Sequence, residues 1–93
     1  MTLTVTSVRF RPAPSFDRRD GLLGFAAVTI NHTLAVESVA VRRTRAGKNV
    51  ISLPTRRDGK GVQHAIVAVT THEAHQALES QVLAELRVQG VLP

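Results

Sequence analysis

His72, Glu73 and His75 most invite a chemical reading. A zinc hydrolase helix carries His-Glu-x-x-His, which sets two imidazoles four residues apart on one face with the glutamate as general base. Here the histidines are three apart and one residue separates Glu73 from His75. That spacing rejects a metalloprotease, no third ligand follows nearby in sequence, and solvated side chains at a helix start are the reading that remains. His32 falls in a turn, and His64 lies on a strand face with Val62 and Ile66. Neither belongs to a pattern that nominates a nucleophile or a general base, and an aromatic-poor chain of this size offers little pocket wall. Gly59-Lys60-Gly61 lacks both the Gly-x4-Gly-Lys-Ser/Thr spacing and the following helix of a phosphate loop. The expectation is a protein that is not an enzyme, with no catalytic residue, no metal, no cofactor and no small-molecule substrate.

What the chain has in quantity is arginine, ten of its twelve basic residues. Arg9 and Arg11 alternate with Val8 and Phe10, so both should leave the same side of a strand. Arg42, Arg43, Arg45 and Lys48 cluster at one strand end, and Arg56, Arg57 and Lys60 in the next turn. The guanidinium fork suits phosphates and base edges better than an ammonium does. Loop clusters on a sheet could together contact several phosphates, the sequence-independent part of nucleic-acid binding. Ordinary solvated charge is the competing reading of each cluster. The absence of tyrosine and tryptophan argues against an aromatic platform for single strands.

The charge is unevenly placed. Residues 1–60 hold eleven Lys and Arg against four Asp and Glu, a balance of +7, whereas residues 61–93 hold Arg87 against Glu73, Glu79 and Glu85, a balance of −2. A basic body of this kind attracts polyanions. At 93 residues the chain fits one small domain, residues 1–93, hiding roughly 60–65% of the surface its unfolded form exposes, so association is expected. With no cysteine there is no disulfide scaffold and no thiolate chemistry. The apolar runs fall short of the ~20 residues a membrane span needs, and the start MTLTVTSVRF lacks the layout of a signal peptide. A cytoplasmic protein with no membrane partner is expected.

The elements that must hold these residues follow from period. Thr2 to Arg11 alternates with a slip of phase at Thr6 and Ser7, which predicts a strand with a bulge. Pro12 to Gly21, with Asp17-Arg18-Arg19-Asp20, reads as an exposed loop. Leu22 to Ile30 and Leu34 to Arg43 read as a hairpin turning at Asn31-His32, and the second strand slips phase between Val36 and Val39. Asn49 to Leu53 is a short strand stopped by Pro54, residues 56–61 a basic turn, and Val62 to Val69 a last strand. Its double-sided apolar run suits the middle of a sheet or a subunit contact. Thr70 and Glu73 have capping-box spacing. Ala74, Leu78, Val82 and Leu86 then recur every four residues, giving an amphipathic helix over residues 71–89 that ends at Gly90. Five strands in residues 2–69 followed by this helix predict an α+β fold, an antiparallel sheet with one helix packed on it.

Three blocks of the string carry a resemblance. Val5-Thr6-Ser7-Val8-Arg9, Phe25-Ala26-Ala27-Val28-Thr29-Ile30-Asn31-His32, and Leu53-Pro54-Thr55-Arg56-Arg57 with Asp58-Gly59 resemble the SpoVG family, the stage V sporulation protein G or septation regulator group. Their order and spacing also agree, and the resemblance covers roughly residues 4 to 87. It implies a small bacterial cytoplasmic protein that binds DNA, in some members RNA, and regulates gene expression and division septum formation. It also implies a curved antiparallel sheet with a C-terminal helix, assembled as a segment-exchanged homodimer. Carried over by position, Arg9, Arg56 and Arg57 match the family's basic residues and are the expected phosphate contacts, with Arg42, Arg43, Arg45, Lys48 and Lys60 in support. The loop of residues 12–21 is longer than the family pattern. The helix is acidic, with Arg87 its one basic residue, so a helix-borne nucleic-acid site does not transfer. The competing hypothesis is a protein-interaction module that regulates division without nucleic acid, docking partners through the helix stripe or an exposed strand edge.

Overall fold

The computed structural model describes residues 3–14 and 20–93. Alternating, β-branched segments form β1 (Val5–Pro12), β2 (Leu22–Ile30), β3 (Leu34–Arg43) and β4 (Asn49–Ser52), which pair antiparallel in the order β1-β2-β3-β4. A separate two-stranded ribbon joins β5 (Thr55–Arg57) to β6 (Gln63–Ala65), and α1 (His72–Val88) closes the chain. The fold is α+β, and the main sheet is not closed. Thr2, the start of the expected first strand, and residues 15–19 of the expected loop, including Asp17, Arg18 and Arg19, lie outside the described residues.

Both expected slips of phase are bulges. Register shifts between Val5 and Ser7 on β1, and Ala26 and Val28 on β2 face Val39 and Val36, leaving Glu37 and Ser38 as the extra length on β3. A third shift falls between Leu22 and Gly24. Bulges bend a strand and raise its local twist. The β2–β3 turn is made by Asn31 and His32, both left-handed at φ 53° and 56°, with the Thr33 N–H donating to the Ile30 carbonyl at 3.0 Å. Gly24 is required by close approach. A Cβ there would collide with the Phe10 ring and the Arg11 carbonyl.

The helix fills the inner face. Leu78, Val82, Leu83 and Leu86 pack with Val8, Ala26, Val28, Val36, Val39, Val41 and Ile51 in one core. The stripe read from the sequence is therefore the core side of α1. Thr71, not Thr70, is its N-cap, accepting from the Ala74 N–H at 3.1 Å, so Ala74 occupies the third helical position and no capping box forms with Glu73. Gly90, at φ 78°, follows the C-cap Gln89. The Val91 N–H donates to the Leu86 carbonyl and the Gly90 N–H to that of Arg87, a Schellman ending.

Helix side chains also reach the outer strands. Gln81 accepts from the Val5 N–H at 2.8 Å and donates to the Leu3 carbonyl at 3.0 Å, and Gln89 donates to the Val8 carbonyl at 2.9 Å. On the other side the Ile51 N–H donates to Glu79 Oε2 at 3.0 Å. Backbone groups that an edge strand would otherwise present are thus partly satisfied by the protein's own helix.

The fifth strand of the expected sheet is the main correction. Only Gln63, His64 and Ala65 of residues 62–69 pair, and they pair with β5 instead of joining the main sheet. The Ile66 N–H adds one bond to the Pro54 carbonyl at 3.1 Å. Beyond it, Val67 and Val69 turn in to pack on the core, while Val62 and Ile66 stay exposed at 52% and 60%. An apolar run on both faces reads as a doubly covered strand. It is instead a strand end followed by an irregular segment whose alternate residues meet the core.

Candidate nucleic-acid interface

The nine basic residues singled out from the sequence fall into three places, all exposed. The first is the outer face of the main sheet, opposite the helix. Val8 and Phe10 turn toward the core, which sends Arg9 and Arg11 outward, where their cross-strand partners are Ala27 and Phe25. Phe25 in turn pairs with Ala40, and Arg42 is two residues further along β3, on the same face. The sheet thus brings together Arg9, Arg11 and Arg42, with β2 between them. Neighbouring strands lie about 4.8 Å apart, so the cations of β1 and β3 are separated by roughly 10 Å at their roots. Glu37, on the bulge of β3, lines a shallow cleft with Arg9, Arg11 and Ala27.

The second place is the β3–β4 hairpin. The Thr44 N–H donates to the Lys48 carbonyl at 2.8 Å, and the Lys48 N–H donates to Thr44 Oγ1 at 3.1 Å. This turn divides the expected cluster. Arg42, Arg43 and Arg45 border one open cleft together with Asp20, whereas Lys48 borders another with Glu79 and Arg87 of the helix side. Arg43 is further held by its Nε donating to Asn49 Oδ1 at 3.1 Å.

The third place is the β5–β6 ribbon. Asp58 organises its tip. Oδ1 accepts from the Lys60 N–H at 2.8 Å and the Val62 N–H at 3.0 Å, while Oδ2 meets His64 Nε2 at 2.7 Å. The His64 contact first, then the two backbone N–H donors, hold the Asp58 carboxyl below its ordinary range, because all of them favour the charged form. Arg56 faces His64 across the ribbon and Arg57 faces Gln63. Adjacency in sequence suggests that the two arginines act together. Successive strand residues point to opposite faces, however, so the Arg56-Arg57 pair offers one guanidinium to each side of the ribbon.

Among the described residues, close histidine–carboxylate contacts join His64 to Asp58 and, at 3.6 Å, His75 to Glu79, and no salt bridge involves these nine cations. His72 and Glu73 are exposed at the helix start. Among the described residues no three His, Asp or Glu side chains gather at metal-binding range. No helix of the described residues is long and apolar enough to cross a membrane.

Two features are not legible in the sequence as site residues. Phe25 stands on the outer face at 37% exposure, though it lies in a run that is apolar throughout. An open apolar groove of about 470 Å³ is lined by Leu3, Ile30, Leu34, Val36, Leu53, Val67, Val69 and Leu78. Its walls come from segments far apart in sequence, and only the fold assembles them.

These observations define a small α+β protein with an open, bulged sheet, one helix on its inner face and exposed cations on its outer face and hairpins. The SpoVG family model matches residues 3–87, and the chain belongs to the SpoVG family. That membership is consistent with a regulator connected with sporulation or septation. A comparison with curated proteins finds no match.

Proposed function

We propose that the protein is a non-enzymatic regulator of gene expression and cell-division septation, acting in the cytoplasm as a homodimer that binds DNA or RNA. The observation that carries this reading is the set of exposed cations on the outer sheet face and the two hairpins that form no salt bridge among the described residues. Arginines so placed neutralise phosphates and release counterions, which gives affinity before any base is read. Family membership supports the same reading.

The competing reading, a partner-docking module without nucleic acid, is weakened by the burial of the helix stripe. Leu78, Val82 and Leu86 are covered by the protein's own sheet, and Gln81, Gln89 and Glu79 occupy backbone groups of the outer strands. Self-association has better support. Val62 and Ile66 are exposed on the ribbon and Leu34 beside the apolar groove, and exposed apolar surface of this kind favours association.

Charge reversal tests the nucleic-acid reading. Arg56→Glu with Arg57→Glu is expected to weaken binding at every sequence and to lower the steepness of the salt dependence by about one for each phosphate no longer neutralised. Wild-type affinity and wild-type salt slope in the double variant would remove the ribbon from the interface.

A further inference from the structure

Phe25 is the one phenylalanine exposed among the described residues, a single ring in a chain whose composition argues against an extended aromatic platform, and its position is specific. It stands on β2, in the middle of the outer sheet face, between Arg11 of β1 and Ala40 of β3. Arg9 and Arg42 lie on the same face, two residues along their strands from Arg11 and Ala40. The neighbours nearest the ring are small on one side, since Ala27 and Ala40 leave the face flat around it. Glu37 offsets one of the three positive charges, so the patch remains cationic.

We infer that this face takes a single-stranded segment of nucleic acid, with one base stacked on the Phe25 ring and the flanking phosphates on Arg9, Arg11 and Arg42. The inference rests on the nucleic-acid reading above and narrows it to one form of the ligand. A ring lying in the middle of a sheet can receive the face of a base only if that base is unstacked from its neighbours, which single strands allow and an intact duplex does not. Phosphate contacts alone would hold duplex and single strand alike. The arginine planes can also stack on bases, and the spacing of about 10 Å across β2 leaves room for a nucleotide between the charged rows. Complementary charge on both sides of an exposed ring is what distinguishes this patch from the apolar groove.

The test is fluorescence anisotropy with a labelled single-stranded oligonucleotide of mixed sequence, as DNA and as RNA, and with the DNA duplex of the same sequence. Wild-type protein is compared with Phe25→Leu, which keeps an apolar side chain and the net charge but removes the ring. Phe25 is outside the core, and a thermal melt checks that the variant remains folded. The expected result is that Phe25→Leu weakens single-strand binding about tenfold and leaves duplex binding and its salt slope unchanged. In wild-type protein the Phe25 ring protons should shift upfield on addition of the single strand and stay unmoved on addition of the duplex. Equal effects on both ligands, no effect on either, or a loss of oligomer mass in place of a loss of binding would overturn the stacking role while leaving polyanion binding intact. If wild-type protein binds neither ligand at low salt, the nucleic-acid reading fails and this inference fails with it.

Discussion

Asp58 shows how one carboxylate orders a short exposed turn. It ties the Lys60 and Val62 amides and the His64 ring to one point, so the cations of the ribbon are carried on a defined tip and not on a loose loop. Because folding lowers the Asp58 pKa, the stabilisation is fully present above the ordinary carboxylate range, about pH 4, and is lost as pH falls through the lowered value. An NMR titration of the side-chain carboxyl is expected to show a midpoint below that of a free aspartate. His64→Ala should move the midpoint back up, and a midpoint unmoved by His64→Ala would show that the imidazole contributes nothing. Gly24 makes a second residue-scale case, since the Phe10 ring and the Arg11 backbone occupy the space a methyl group would need. Gly24→Ala should cost about 1–3 kcal/mol in a urea titration through overpacking. The sequence marks neither role. Asp58-Gly59 signals a turn, but which groups the carboxylate gathers depends on His64, six residues on and across the ribbon.

Among the elements, those with strong period and local signals are legible in the sequence, and those defined by distant partners are not. The β2–β3 hairpin appears with the expected bounds because two β-branched runs flank Asn31-His32, residue types that tolerate the left-handed turn. Bulges on β1 and β3 show as slips in alternation. The helix shows in Ala74, Leu78, Val82 and Leu86, and differs in running His72–Val88 and in taking Thr71 as its cap without a capping box. The ribbon is easily misread because Val62 and the run Ala65 to Val69 look alike on both faces, while what covers each residue is decided by the core and by Pro54. Equally hidden are Gln81, Gln89 and Glu79, polar residues that reach the backbone of the outer strands. Two outcomes follow for the helix. Leu86→Ala removes a fully buried side chain from the centre of the core and should destabilise the fold by about 2–5 kcal/mol in denaturant unfolding. Gln81→Ala leaves the Val5 N–H and the Leu3 carbonyl unpaired and should cost about 1–3 kcal/mol, with faster amide exchange at Val5 as its local signature.

At the scale of the whole molecule, charge and shape divide the protein into two sides. One side of the sheet is sealed by an acidic helix, and the other is open, cationic and continuous with the β3–β4 hairpin. The excess of +7 in residues 1–60 and the clustering of arginines are visible in the string. The grouping of Arg9 and Arg11 with Arg42, and the separation of Lys48 from its neighbours, require the strand register. Apolar exposure at Val62, Ile66 and Leu34 belongs to this scale too. Light scattering at micromolar concentration is expected to give the mass of a dimer, and Val62→Asp with Ile66→Asp to reduce it to that of a monomer. A wild-type monomer would contradict self-association. The proposed regulation depends most directly on the exposed cations binding a polyanion. The decisive measurement is the dissociation constant of the wild-type protein for an oligonucleotide across a series of salt concentrations. Affinity that falls linearly on logarithmic axes, with a slope corresponding to several phosphate contacts at about 0.9 each on duplex DNA, is the predicted result. Binding that is absent at low salt, or indifferent to salt, would contradict it.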